Sequence, residues 1–418
     1  MSESLSTDPY KGVRDFYPAE WARMEAMFAR IRCTLSLWGY EEYNASPLER
    51  AELYEAKTSE EIVNEQTYTF TDRGDRRVTL RPEMTPTLAR MLAGKRRELV
   101  FPLRWFSIGN RFRYERPQKG RLREFYQADI DLIGLPEGEA DIEIVRLASE
   151  ILKAFGATEK DFVIRVSSRA LLNSACKAAG LTTEATRTYI RLLDKKSKMR
   201  PEEFKIASEA ISKKDPLSLV ARKDVEAFVA ALEMRGVGNI VFDAGITRGF
   251  DYYTGMVFEV FDTNPANPRA IFGGGRYDEL VALYGGDPVP AVGFALGDVT
   301  LADFLETHGL LPKLNEGYSQ LYIGTPSEKD IPAAQAFADT LRTQNCRVFV
   351  NLTSRALGEQ IKDAVKRDIP LFVAYGADEI KNKTVRLKTL ATGEEIVLPV
   401  SGLPSRLQSR IQNPASSL

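Results

Sequence analysis

Apolar residues fall at Trp21, Met24, Phe28, Ile31 and Leu35, in steps of three and four that predict an amphipathic helix ended by Gly39. A strand-like run containing Pro47 follows. Thr67 to Arg81 reads as a hairpin turning at Gly74-Asp75, and Pro82 leads into a helix from about Met84 to Leu92. Over Arg104 to Arg113 the period drops to two. Phe106, Ile108 and Phe112 share one face, interrupted by Asn110, while Ser107, Gly109, Arg111 and Arg113 share the other. Phe125 to Ile133 alternates again: Tyr126, Ala128, Ile130 and Leu132 on one face, Phe125, Gln127, Asp129 and Asp131 on the other. Such strands usually turn the polar face to water. With arginines on one strand and acids, an amide and an aromatic on the next, the pair could equally floor a polar site.

From Leu171 to about Leu232 the chain reads as helical and charged, a helical insert. It is strand-like again from Ile240 to Asp262, then reaches Gly273-Gly274-Gly275, a plain turn on its composition. VPAVGFALGDVTLADFLETHG reads as a strand entering a helix. Beyond a linker, strands and helices alternate as βαβαβ with a two-stranded finish, predicting a small α/β domain with partly parallel strands. The divisions expected are 1–168, 169–235 (the insert), 236–312 and 318–412.

Composition narrows the chemistry. The 418 residues carry 57 Lys+Arg against 58 Asp+Glu, a net charge of −1, which excludes a uniformly basic nucleic-acid coat. Cys33, Cys176 and Cys346 form no CxxC pair, so neither a disulfide framework nor a thiolate zinc site is supported, and a reducing, cytoplasmic location is expected. The polar N-terminus lacks an apolar signal core and no run of 18 apolar residues exists, so no membrane association is expected. The single histidine, His308, makes a Ser-His-Asp triad, a multi-histidine metal site and a two-histidine shuttle each impossible or nearly so, and its place before Leu310-Leu311-Pro312 suits a helix C-terminus. No resident metal site is expected. Arginines, carboxylates and tyrosines must carry the chemistry.

Those arginines are concentrated. Between Arg111 and Glu124 lie Arg111, Arg113, Arg116, Lys119, Arg121 and Arg123 against Glu115 and Glu124, a local charge of +4 in a near-neutral chain. Guanidinium groups bind phosphate bidentately and stay charged at any working pH, so this strand-loop-strand suits a polyphosphate, or else a solvated surface hairpin.

The FRYE start at Phe112 and the return at Phe125 resemble motif 2 of class II aminoacyl-tRNA synthetases, and the continuation REFYQADIDLIG is similar to the histidyl branch of that family. Three further stretches agree in order: LRPEMT from Leu80, RGFDYYTG from Arg248, and GGGRYD from Gly273. The start KGVRDFYP fits as well, so the resemblance runs from about Lys11 to Val400. It implies an α+β fold: a class II synthetase-type antiparallel sheet with a helical insert, then a small α/β anticodon-binding-type domain. It implies ATP-dependent ligation of L-histidine to tRNA(His) through an adenylate, with Mg2+ on the pyrophosphate. Arg113 and Arg248 would be catalytic, approaching the α-phosphate from opposite sides. Glu115 would face the adenine amino group, Phe125 stack on the ring and Arg121 reach the γ-phosphate. Glu83, Thr85 and Gln127 would accept the α-ammonium, with Met84 beside them. Asp131 and Tyr253, with Tyr252 alongside, would select the imidazole. The helix from Trp21 resembles motif 1, which builds a homodimer. Lys195, Lys196, Lys198 and Arg200 could touch the tRNA backbone or simply be solvated.

The pattern departs from the family at several points. Motif 3 usually reads GxxxGxxR, and here Gly293 to Gly297 is followed by Thr300 where the arginine belongs. Asp131 stands for a common glutamate, Met84 for a glycine and Tyr114 for a histidine. Two alternatives follow: a histidine-sensing regulatory paralogue of the ATP phosphoribosyltransferase complex, toward which Thr300 leans, and a class II enzyme for proline, threonine or glycine. The terminal domain argues against the first and the RGFDYYTG segment against the second.

Overall fold

A proline at the first position of helix α1 (Pro18–Leu37) gives up an N–H that has no helical partner, and the Glu20 carboxylate accepts the Tyr17 N–H at 2.8 Å. Gly39, at φ +75°, takes the left-handed conformation that ends the helix. The computed structural model describes residues 5–55, 66–118, 120–196, 199–220, 223–247, 252–312 and 319–408. Arg248, Lys119 and Lys198, each singled out in the sequence, lie outside the described residues.

After α1 come β1 (Glu41–Glu42), β2 (Leu48–Arg50), the short α2 (Glu52–Glu55), and the hairpin β3 (Tyr68–Thr71) and β4 (Arg77–Leu80). Strands β2, β4 and β3 form a small antiparallel sheet. Its turn is held by Asp72, whose Oδ1 accepts the Gly74 N–H (2.8 Å) and the Arg76 N–H (3.0 Å). Helix α3 (Thr85–Lys95) precedes the long antiparallel pair β5 (Leu103–Phe112) and β6 (Glu124–Ile133). Helix α4 (Glu139–Ala154) and β7 (Phe162–Ser168) lead into the insert. The insert holds α5 (Arg169–Ala178), α6 (Thr183–Lys195), α7 (Pro201–Ile211) and α8 (Lys223–Glu233). Leu172, Cys176, Tyr189, Ile190 and Leu193 give it a small core of its own. Strands β8 (Ile240–Phe242), β9 (Met256–Asp262), β10 (Ala270–Arg276) and β11 (Ala291–Gly297) and helix α9 (Asp298–Thr307) complete the first unit, Met1–Pro312.

Its main sheet runs β1-β5-β6-β11-β10-β9-β7-β8, antiparallel through the six central strands and parallel at each end. The period of two decides its faces. Phe106, Ile108, Ala128, Ile130, Leu132, Val292, Phe294 and Leu296 enter one core with α1, α4 and α9. The alternate positions face the other side, where α3 and the aromatic cluster of Tyr252, Tyr253 and Tyr277 partly cover them. Gly273-Gly274-Gly275 corrects the sequence expectation, because it lies within β10 and makes no turn. A side chain at 274 would strike the Gly293 carbonyl and Phe294, and one at 275 would come within 2.6 Å of the Met256 carbonyl, so glycine is required by close strand approach. His308 follows the last residue of α9, with its Nε2 2.8 Å from Asp262 and its Nδ1 3.4 Å from Asp161.

The second unit, Lys313–Leu418, is built from β12 (Leu321–Gly324), α10 (Ile331–Arg342), β13 (Val348–Val350), α11 (Leu357–Lys366), β14 (Leu371–Ala374), α12 (Ala377–Asn382), β15 (Thr384–Thr389), β16 (Glu395–Pro399) and α13 (Leu403–Gln408). The sheet order is β13-β12-β14-β15-β16, parallel in its first three strands and antiparallel beyond. Fully buried Gln360 accepts the Thr325 N–H at 2.9 Å and donates to the Thr325 and Arg355 carbonyls, which fixes the loop after β12. The α+β architecture expected from the sequence is the one adopted. No helix among the described residues is long and apolar enough to cross a membrane.

Candidate active site

Two adjoining cavities open on the polar face of the main sheet. The inner one, about 100 Å³, is lined by Glu83, Thr85, Arg113, Gln127, Asp129, Asp131, Tyr252, Tyr253, Tyr277 and the Gly293–Ala295 stretch. The outer one, about 190 Å³, lies between Arg113, Glu115, Arg121 and Phe125 on one side and Ala270–Gly273, Val299 and Thr300 on the other. Arg113, Gln127 and Ala295 belong to both.

Small residues make this room. On β11 the site-facing positions are Gly293, Ala295 and Gly297, paired in register with Asp131, Asp129 and Gln127 of β6. A Cβ at Gly293 would collide with the Asp131 carboxylate. On β5 the buried Arg111 side chain reaches Asp129, Nη2 to Oδ2 at 2.6 Å, and a Cβ at Gly109 would come within 2.7 Å of Arg81 Nη2, so glycine there admits the Arg81 guanidinium. Asp129 in turn accepts from Gln127 Nε2 at 2.7 Å. Arg81 is also buried, donating to the Asn110 and Ala45 carbonyls. These cations hold the floor, so not every arginine of the basic stretch faces a ligand.

Asp131 is buried at the inner end, and Tyr277 donates its hydroxyl to Asp131 Oδ1 at 2.5 Å. Burial pushes the Asp131 carboxyl up to about 8, against the lowering effect of that bond. On the opposite wall Tyr252 donates to Glu83 Oε2 at 2.9 Å. Burial, and then Glu83, hold the Tyr252 phenol well above its ordinary value, so it stays a donor. The rings of Tyr252 and Tyr253 lie 4.9 Å apart and those of Tyr252 and Tyr277 5.8 Å. Glu83 is positioned just ahead of α3, where Tyr54 also reaches its carbonyl at 3.3 Å.

Arg113 stands where the cavities meet. Its Nε donates to the Pro82 carbonyl at 2.9 Å and its guanidinium carbon lies 5.3 Å from the centre of the Phe125 ring. Burial draws its pKa down, and the Glu83 and Glu115 carboxylates oppose that shift. Arg121 donates to Glu115 Oε2 at 2.8 Å on the same side of the outer cavity. Thr300 turns its hydroxyl to the Ile271 carbonyl at 2.6 Å.

The structure therefore gathers Glu83, Thr85, Gln127, Asp131, Tyr252 and Tyr253 around the inner cavity and Glu115, Arg121 and Phe125 around the outer one, with Arg113 on both. Met84 is corrected: it is fully buried, lines neither cavity, and sets its sulfur 3.7 Å from Arg81 Nη1. Tyr277, in the GGGRYD segment, lines the inner cavity and is not among the residues that the sequence assigns to the site. Its signal was a phenol directly after a strand of glycines. Lys195 and Lys196 are exposed at the end of α6, and exposed Arg200 is paired with Glu203 ahead of α7.

A family model described as histidyl-tRNA synthetase matches residues 12–203 and 197–301, and one described as anticodon binding domain matches 320–410. A histidine–tRNA ligase of Leptospira biflexa is 38% identical over 434 residues, covering 98% of this chain and 99% of the relative. The crystal structure of histidyl-tRNA synthetase from Nostoc sp. PCC 7120 superposes with a TM-score of 0.76 at 24% identity, covering 97% of this chain and all of the other. An ATP phosphoribosyltransferase regulatory subunit/histidyl-tRNA synthetase structure from Bacillus halodurans has a TM-score of 0.69 at 22% identity, covering 90% and 99%. At those identities the two structures show likeness of fold alone.

Proposed function

The chain belongs to the histidyl-tRNA synthetase family, and on that premise we propose how its residues divide the work. It is an aminoacyl-tRNA ligase that uses ATP to join L-histidine to tRNA through a histidyl-adenylate. The amino-acid carboxylate is already ionised, so activation needs no general base. The barrier lies in bringing anion to anion and in the charge that develops as the α-phosphate becomes five-coordinate, which fixed cations offset.

In this reading the inner cavity takes histidine. Asp131, positioned by Tyr277, accepts from one imidazole nitrogen and Tyr253 bonds the other. Glu83, Thr85 and Gln127 hold the α-ammonium, and Tyr252 orients Glu83. Apolar side chains are rejected because these buried groups would be left unpaired. The outer cavity takes ATP, with adenine on Phe125 and against Glu115, and with Arg121 toward the γ-phosphate. Arg113 and Arg248 meet the α-phosphate. Glu115 is the carboxylate that lines the outer cavity among the described residues, and one of its oxygens already bonds Arg121. Glu115 would be the described carboxylate at hand for a Mg2+ ion, which would supply positive charge to the pyrophosphate.

The observation that carries this assignment is the shared wall: Arg113 belongs to a polar, tyrosine-rich cavity and to an arginine-lined one. ATP–pyrophosphate exchange with each of the twenty amino acids tests it. Exchange with histidine alone is expected. Exchange with proline, threonine or glycine, or with none, contradicts it.

We assign 1–168 and 236–312 to the catalytic core, 169–235 to the insert and 318–412 to anticodon binding, and we place the protein in the cytoplasm as a homodimer built on α1. A monomeric mass by light scattering at working concentration contradicts the dimer. A terminal domain of this kind has no use in a histidine sensor, which favours the ligase over the regulatory reading.

A further inference from the structure

We propose that Arg269 is a further nucleotide-binding residue, supplying positive charge for the terminal phosphates of ATP from the β10 side of the outer cavity. The proposal rests on the assignment of that cavity to ATP. The two sides of the cavity are unequal. Among the described lining residues the β5–β6 side contributes Arg113 and Arg121, whereas the β10 and α9 side contributes uncharged groups, with Thr300 committed to the Ile271 carbonyl. Arg121 shares its charge with Glu115. Beyond the α-phosphate, which Arg248 is assigned to meet, a triphosphate seated there would face the uncharged part of that wall, and Arg269 stands at its end, immediately before the lining residue Ala270. Its exposed side chain reaches back to the fold. Nη2 donates to Gln118 Oε1 at 2.9 Å, bridging the β9–β10 connection to the loop after β5. Gln118 pairs with Arg121 through both backbone bonds, 3.1 and 2.9 Å, so Arg269 grips the turn that carries Arg121. A neutral amide acceptor is readily exchanged for a phosphate oxygen, which binds a guanidinium more strongly and with two parallel bonds.

Histidine-dependent ATP–pyrophosphate exchange on the full-length protein tests this with Arg269→Ala, Arg269→Lys and Gln118→Ala. Arg269 is exposed, so its variants are expected to fold. Arg269→Ala should raise the ATP KM about tenfold, the loss of one charge-assisted contact, and leave the histidine KM unmoved. Arg269→Lys, which keeps charge but not the fork, should recover part of that loss. Gln118→Ala should change the ATP KM by less than about twofold, since phosphate replaces the amide as acceptor. An unchanged ATP KM in Arg269→Ala, an equal rise for both substrates, no recovery with lysine, or Gln118→Ala reproducing the whole defect would each overturn the proposal while wild-type exchange stands. If the wild type shows no exchange with histidine, the assignment beneath it fails too.

Discussion

Around the inner cavity the polar groups are already committed to one another: Tyr277 to Asp131, Tyr252 to Glu83, Gln127 to Asp129. Strands hold several of them, and register with glycines fixes their positions. Around the outer cavity the committed contacts are provisional. Arg121 and Glu115 neutralise each other on a loop, Arg269 reaches across to Gln118, and the Arg121 side chain is 41% exposed. The difference follows the two recognition tasks. Choosing one side chain among twenty requires donors and acceptors set in advance, because only then does a wrong occupant leave buried groups unpaired. Gripping a triphosphate requires charge, which a loop can deliver as the nucleotide arrives.

The largest effect that sharpens this contrast belongs to the shared residue. Arg113→Ala should lower the rate of histidine-dependent exchange by about 10²–10³-fold, since it removes a cation aimed at developing charge. Arg248→Ala should do the same. Near-wild-type exchange in either variant would break its assignment.

Asp131→Asn should raise the histidine KM by about 10- to 100-fold while moving the ATP KM little. Equal losses would place Asp131 outside histidine selection. The same variant carries a stability signature. Burial raises this carboxyl from its ordinary 3.8 to about 8. Between those values the folded chain holds a proton that the unfolded chain has released, so the site's contribution to stability falls as pH rises and is lost through pH 8. Asparagine has no such slope. The Tm of Asp131→Asn relative to wild type should therefore increase from pH 5 to pH 9. A constant difference would contradict the raised carboxyl.

A smaller effect is expected at Tyr277. Its hydroxyl lowers the Asp131 pKa. Tyr277→Phe should raise the histidine KM by about three- to tenfold and move the Asp131 limb of the pH profile for kcat/KM to more alkaline values. An acid displacement would mean that the phenol does not act through Asp131.

Much of the fold could be read from period alone. The alternation through Arg104–Arg113 and Phe125–Ile133 assigns Gln127 and Asp131 to one face, because strand geometry leaves no other choice. What period cannot tell is whether a polar face meets water or another side chain. Arg111 and Asp129 look like solvated positions, yet they form a buried pair, since the two meet only when β5 and β6 lie side by side. The glycine run at 273 reads as a turn because its cause is the close approach of β9 and β11, which is distant in sequence. Tyr277 was hidden for the same reason. Met84 sits beside Glu83 in the chain, but the start of α3 points its side chain inward. The division of the arginines between floor and ligand likewise depends on contacts far apart in the sequence.

In this reading two cavities converge on one phosphorus atom at Arg113. A crystal structure with a non-hydrolysable histidyl-adenylate analogue would show that convergence. Imidazole is expected on Asp131, adenine on Phe125, and Arg113 and Arg248 both within hydrogen-bond reach of the group that replaces the α-phosphate. An imidazole bound outside the inner cavity, or the two arginines facing separate cavities, would contradict it.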